Sequence, residues 1–221
     1  MLSRAGKVVC IGRNYAAHIR ELNNPFPTKP FFFLKPTSAI VEPGHGNLII
    51  PPDVSAHYEV ELGLIMKDRL PARRPVSSNS WLDSIGAYFV GIDMTARNIQ
   101  NEAKKKGLPW SFAKGYDTFL PVGPIIPKHL IPDPHNVILE LSLNGKVVQK
   151  DSTSLMLNKI PKIFSSITEA MSLNPGDLVL TGTPKGVGPV VPGDILSARL
   201  LTAQEQEIIP SKFEIKAEKC D

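Results

Sequence analysis

A mainly β fold with helices on the flanks of its sheets is what this sequence predicts, and three observations carry that expectation. The 221 residues include 21 prolines, roughly twice the average usage of about 5%. They stand at the borders of apolar runs, as at Pro25 and Pro27, Pro51 and Pro52, and Pro132 and Pro134. Proline breaks helices and central strands, so this spacing favours many short strands with irregular connections over a helical bundle. Strand-like and helix-like segments also fail to alternate regularly, which argues against a repeated βαβ unit.

The elements follow in order. Lys7–Ile11 (KVVCI) reads as a buried strand, and Asn14–Leu22 as a short helix stopped by Asn23, Asn24 and Pro25. Phe31–Leu34 and Leu48–Ile50 are apolar runs fenced by prolines, suited to strands at a sheet margin. His57–Met66 (HYEVELGLIM) opens with strict alternation and reads as one strand. A helix is expected over Ser77–Ser84, then a strongly apolar strand over Ala87–Asp93. Thr95 is placed to cap a helix over Ala96–Lys106, which ends at Gly107 with three lysines complementing its dipole. Val137–Leu143 and Lys146–Gln149 around Asn144-Gly145 form a hairpin. Leu155–Met171 has helical period, kinked or divided at Pro161. Turns at Asn174–Asp177 and Pro192–Asp194 lead into strands Leu178–Thr181 and Ile195–Leu201, and Lys212–Lys216 reads as the last strand. No linker divides the chain, so one domain over residues 1–221 is expected.

Composition excludes several function classes. Hydrophobic residues at 42% and charged residues at 21% fit a globular chain. The net charge of +4 is spread out, with one dense basic run at Lys104–Lys106. A nucleic-acid surface shows a basic stripe interleaved with aromatics, so no nucleic-acid partner is expected. No apolar run approaches the roughly 18 residues of a spanning helix, so no membrane partner is expected either. Cys10 and Cys220 are too few for a disulfide framework or a cysteine zinc site. With no secretory signal, they fit a reducing compartment, the mitochondrial matrix or the cytosol. Six residues precede the first strand, too short for a complete transit or secretory peptide.

Three constellations carry chemistry. Residues two apart on a strand share a face, so Glu59 and Glu61 project together while Tyr58, Val60 and Leu62 face a core. Asp93 ends the second long apolar strand. Three such carboxylates suit a hard divalent cation, Mg²⁺ or Mn²⁺ over zinc because no cysteine joins them. The competing reading is a solvated strand face with Asp93 at a helix start; His57 is a possible fourth ligand or a bystander. His18 and Glu21, three apart on a helix, make either a general base with its orienting carboxylate or a surface pair. Arg97, Gln100 and Lys104 lie along one helix face after Asp93, either solvated or, beside a metal, an anion clamp. The Gly182–Pro189 loop (GTPKGVGP) supplies backbone N–H groups suited to an anion and matches neither the P-loop nor the dinucleotide fingerprint.

Taken together, Gly12–Glu21, Phe33–Pro36, His57–Gly63, Asp93–Gln100, Lys104–Trp110, Ala113–Pro124 and Leu180–Pro189 resemble the fumarylacetoacetate hydrolase superfamily, in order and over nearly the whole chain. The likeness is to its small single-domain members. That resemblance implies a mixed β-sandwich roll, a homodimer, and Mg²⁺ or Mn²⁺ held by Glu59, Glu61 and Asp93. It implies His18 and Glu21 as a catalytic dyad on a mobile lid, with catalytic Lys114, and Arg97, Gln100, Thr183 and Lys35 as substrate residues. Asn98 stands where relatives often carry aspartate, which touches fine specificity.

The activity so implied is on 2-oxo acids. It covers C–C hydrolysis of acylpyruvates, decarboxylation of oxaloacetate to pyruvate through a metal-stabilised enolate, or both, with oxaloacetate keto–enol tautomerisation as the alternative. A silent binding protein that keeps the fold is the alternative from another class.

Overall fold

The computed structural model describes residues 2–75 and 81–220. Two sheets dominate. A six-stranded sheet runs in the order Ile126–Pro127, Ile85–Ile92, Val60–Met66, Leu178–Leu180, Val8–Gly12, Phe31–Lys35. A five-stranded sheet runs Lys146–Ser152, Val137–Leu143, Ile195–Thr202, Phe213–Lys219, Leu48–Ile50. Both are mixed: Val8–Gly12 pairs parallel with Leu178–Leu180, and Phe213–Lys219 parallel with Leu48–Ile50, while their other ladders are antiparallel. The proline-fenced runs at 31–35 and 48–50 are edge strands, the sheet margin expected of them. The fold is mainly β with flanking helices, as the proline spacing predicts.

The six-stranded sheet is buried on both faces, which explains its unbroken apolar runs. Val9, Ile11, Leu62, Leu64, Val90 and Ile92 join the main core with Leu139, Leu141, Leu200 and Phe213 of the second sheet and Ile163, Phe164 and Ile167 of the helix Ile160–Ala170. On the other face Val8, Cys10, Phe89, Leu178 and Leu180 form a second cluster with Leu120 and Val122. The pleat thus sends successive side chains to different cores.

Several boundaries differ from expectation for physical reasons. The predicted strand 57–66 breaks at Glu59: Ala56–Tyr58 pairs with Thr95–Ala96 and Gly188–Pro189, and Val60–Met66 joins the large sheet. Thr95 does not cap the next helix. That helix is Arg97–Lys106 with Ala96 at its N-cap, because the Thr95 hydroxyl donates instead to Glu59 Oε1 at 3.0 Å. Its C-terminal end does match, with Gly107 left-handed at φ 65°. The run 155–171 is a short 3₁₀ turn, Thr153–Leu155, then the helix Ile160–Ala170, with Pro161 in its first turn and no kink. Of the helix expected over 77–84, residues 77–80 lie outside the described residues, and Trp81–Ser84 forms a turn. None of the described helices is long and apolar enough to cross a membrane.

Candidate functional site

The break at Glu59 is what assembles the acidic cluster. Where the chain switches sheets, the Glu59 carbonyl accepts the Asp93 N–H at 2.8 Å, so these two residues face each other across the end of the 60–66 and 85–92 ladder. Glu61 follows on the same face. All three side chains are buried, and each offers an oxygen within 4.8 Å of the others.

Three cations surround them. Lys114 Nζ lies 3.0 Å from Glu59 Oε2 and 2.7 Å from Asp93 Oδ2. Arg97 Nη2 donates to Glu59 Oε1 at 2.6 Å. Lys35 Nζ sits 2.8 Å from Asp93 Oδ1 and donates to the Met94 carbonyl at 3.0 Å, while Asp93 Oδ1 accepts no well-directed hydrogen bond. Against the cost of burial, Lys114 and Arg97 hold the Glu59 carboxyl well below the usual carboxylate range. Burial pulls the Lys35 ammonium down, whereas Asp93 and Glu59 outweigh burial and raise that of Lys114.

Glu61 is the exception. It accepts the Gly182 N–H at 2.6 Å, and burial together with Asp93 and Glu59 drives its carboxyl well above the usual range. An oxygen cluster with one underpaired buried carboxylate and one misdirected carboxylate lone pair fits a hard divalent cation, whose charge offsets the repulsion. Gly182 is required where it stands: its φ is +99°, and a Cβ there would come within 2.7 Å of the Asn14 side chain.

The second constellation sits on the helix Ala16–Glu21. Its start is pinned by Asn14, whose Nδ2 donates to the Thr181 and Asn158 carbonyls at 2.8 and 3.1 Å, while Oδ1 accepts the Asn158 N–H at 2.8 Å. His18 is buried with Nδ1 3.5 Å from Glu21 Oε2. Burial lowers its pKa, partly countered by Glu59 and Glu21, so the ring is neutral near pH 7. Both Glu21 oxygens accept the Gly186 N–H, at 2.9 and 3.1 Å, which ties the dyad to the glycine-rich loop.

These residues line one cleft. Glu59, Glu61, Asp93, His18, Arg97, Gln100, Lys114 and Thr183 all border it. Arg97 Nη1 also donates to Gln100 Oε1 at 2.6 Å. Glu21 stands behind His18, and Lys35 lies beneath Asp93 without lining the cleft, so it orients a carboxylate where substrate contact was expected. His57 is not part of the converging group; burial and Arg97 push its pKa down to about 4. Asn98 also stands off the cleft, holding the loop before it through Ser55 N–H and the Asp53 carbonyl.

Sequence reasoning missed three residues. Arg13 and Trp110 border the cleft although nothing in their spacing marks them. Gln149, 1% exposed, bridges the acidic strand to the glycine loop. Its Oε1 accepts the Val60 N–H at 2.9 Å, and its Nε2 donates to Thr183 Oγ1 and the Pro184 carbonyl, both at 3.0 Å. A backbone N–H can only donate and a carbonyl only accept, so the amide orientation is fixed. The Thr183 oxygen therefore accepts from Gln149 and turns its own hydrogen elsewhere.

Comparison with known proteins gives the family of this chain. Residues 7–211 match the fumarylacetoacetate (FAA) hydrolase C-terminal family. A mitochondrial oxaloacetate tautomerase of Saccharomyces cerevisiae is 40% identical over 96% of this chain and 93% of its own. A mitochondrial oxaloacetate decarboxylase of Dictyostelium discoideum is 46% identical over 86% of each chain. Among solved structures, fumarylpyruvate hydrolase from Pseudomonas aeruginosa in complex with Mn²⁺ and pyruvate superimposes with a TM-score of 0.86 at 29% identity, covering 98% of this chain and 91% of its own.

Proposed function

This chain belongs to the fumarylacetoacetate hydrolase family and is an enzyme of oxo acids, and from that premise we propose that it interconverts the keto and enol forms of oxaloacetate. The observation that carries this reading is a buried His18, paired with Glu21, facing a cleft floored by three convergent carboxylates. Relatives named oxaloacetate tautomerase support the substrate.

Glu59, Glu61 and Asp93 would hold Mg²⁺ or Mn²⁺, which when bound would supply Lewis-acid chemistry to a 2-oxo acid. Lys114, fixed beside Glu59 and Asp93, offsets negative charge growing on that oxygen. Arg97 and Gln100 hold the carboxylate head; the buried Arg97 Nε has no partner among the described residues and remains as a donor. Glu21 faces His18 Nδ1, favours a proton there, and leaves Nε2 as the base. His18 takes a proton from C3 and delivers it to the enolate oxygen, or runs the reverse. Thr183, its oxygen engaged by Gln149, donates its hydrogen into the cleft.

Acylpyruvate hydrolysis is the second reading, favoured by likeness to the fumarylpyruvate hydrolase; there His18 deprotonates a water that attacks the distal carbonyl. Decarboxylation of oxaloacetate, favoured by the Dictyostelium relative, needs no attacking water. A panel of oxaloacetate, enol-oxaloacetate, acetylpyruvate, fumarylpyruvate and fumarylacetoacetate, each with Mg²⁺ and with excess chelator, ranks the three. Enol–keto conversion should be fastest and lost in chelator. Faster hydrolysis or decarboxylation transfers the assignment to that reaction, and no turnover of any compound leaves a silent binding protein.

The working form on this reading is a homodimer in the mitochondrial matrix; the relatives' names, which say mitochondrial, support the organelle. A monomer in sedimentation at micromolar concentration contradicts the first part, and exclusion from matrix fractions the second.

A further inference from the structure

Four basic side chains border the cleft: Arg13, Arg97, Lys104 and Lys114. Two are already engaged, Arg97 by Glu59 and Gln100, and Lys114 by Glu59 and Asp93. The other two are not. Among the described residues no carboxylate forms an ion pair with Arg13 or Lys104. Each has a single long polar contact of 3.5 Å, Arg13 Nη1 to the Pro25 carbonyl and Lys104 Nζ to Asn24 Oδ1. The Arg13 Nε is buried with no hydrogen-bond partner among the described residues.

The two cations are held together. The Arg13 guanidinium lies 6.0 Å and the Lys104 ammonium 5.5 Å from the centre of the Trp110 ring. Arg13 also lies 5.5 Å over Phe31, which meets Trp110 edge-on at 5.4 Å. The aromatic floor fixes both heads by cation–π contact. Arg13 is fixed from its backbone as well: it has φ +55°, a left-handed conformation unfavourable for a long side chain, directly beside the pinned Asn14. Two half-buried like charges on one floor repel. Burial, with Arg97 and Arg13, brings the Lys104 pKa down to about 8. An anion between them removes that cost.

We propose that Arg13 and Lys104 form a second anion subsite, which takes the far carboxylate of a 2-oxo dicarboxylic acid whose 2-oxo head lies at the acidic cluster. The proposal rests on the reading of that head site given above. A 2-oxo monocarboxylic acid such as acetylpyruvate presents a methyl group instead and leaves both cations half-buried and unpaired, so the subsite selects by charge against it. Four-carbon and six-carbon dicarboxylates share this chemistry, and the substrates tested separate them.

The test uses full-length Mg²⁺-loaded enzyme, wild type, Arg13→Gln and Lys104→Met. KM, or the inhibition constant for a compound that is not turned over, is measured for oxaloacetate, fumarylpyruvate and acetylpyruvate. Oxalate, which fills only the head site, is titrated by calorimetry alongside. A charge-assisted hydrogen bond contributes about 1.5–3 kcal/mol, so the dicarboxylate-to-acetylpyruvate ratio of these constants should rise about 10–150-fold in either variant. Oxaloacetate affected more than fumarylpyruvate marks a four-carbon fit, and the reverse a six-carbon fit; either supports the subsite. A ratio that stays within about twofold in both variants while oxalate still binds overturns the subsite alone. Wild-type enzyme that binds no oxalate overturns the head-site reading, and the subsite with it. Lys104→Met changes a helix surface position, so it keeps the test decisive if Arg13→Gln fails to fold.

Discussion

Gln149→Leu should loosen both the fold and the site, because one carboxamide ties the strand of Glu61 to the loop of Thr183. Leucine has nearly the volume of glutamine but satisfies none of its partners. The Val60 N–H and the Pro184 carbonyl, at 2.9 and 3.0 Å from that carboxamide, lose their bonds in a buried setting. Each unsatisfied buried group costs about 1–3 kcal/mol, so the loss is about 2–6 kcal/mol. At about 2–4 °C per kcal/mol for a chain of this size, the melting midpoint should fall by at least about 4 °C. Gln149→Glu separates orientation from packing. Its carboxylate still accepts the Val60 N–H, but its other oxygen can only accept from Thr183, which turns that hydroxyl hydrogen away from the cleft. One lost neutral hydrogen bond of about 0.5–1.5 kcal/mol raises KM for oxaloacetate about 2–10-fold with kcat less affected. Scanning calorimetry and steady-state kinetics at saturating Mg²⁺ read both effects. A Gln149→Leu midpoint within about 1 °C of wild type, together with an unchanged KM in Gln149→Glu, refutes the bridging role.

Glu59→Gln and Asp93→Asn should abolish turnover chiefly by losing the metal, seen as lost Mg²⁺ binding in calorimetry; unchanged affinity in either variant speaks against it. His18→Ala should separate activities, with proton transfer and acylpyruvate hydrolysis falling about 10²–10⁴-fold while much oxaloacetate decarboxylation persists. An equal fall in all of them with metal still bound contradicts the role given to His18. His135 predicts a pH effect on stability: its Nε2 accepts the Ile160 N–H at 3.0 Å, so it is unprotonated, and burial with Lys159 lowers its pKa. A depressed folded pKa means that this stability is present above the ordinary value of about 6.5 and is lost as pH falls below it. His135→Phe should therefore lose less melting temperature than wild type between pH 7.5 and 5.5, and equal losses count against the argument.

How much of this was legible depends on the range of the forces involved. Period-two alternation places Glu59 and Glu61 on one face, and the apolar run before Asp93 marks a charge that needs a reason; both follow from local geometry. The Asn144-Gly145 hairpin is equally local, with left-handed φ values of 50° and 80°. The break at Glu59 was not legible, since it comes from pairing of Ala56–Tyr58 with strands far along the chain. Thr95 has the composition of a cap, yet a buried glutamate competes for its hydroxyl and wins. Lys35 reads as a substrate lysine until the fold sets it beneath Asp93. Gln149 reads as an ordinary polar residue on a hairpin strand. Its partners lie 89 residues earlier and 34 to 35 residues later, so no local pattern contains them.

The central claim is that Glu59, Glu61 and Asp93 hold a divalent cation on which a 2-oxo acid chelates. Water-proton relaxation of the Mn²⁺-loaded protein, followed while oxalate is added, tests it most directly. The account predicts strong enhancement on Mn²⁺ binding that falls stepwise to saturation as oxalate displaces metal-bound water, with neither signal in Glu61→Gln. Enhancement that oxalate leaves unchanged, or that survives intact in Glu61→Gln, contradicts it.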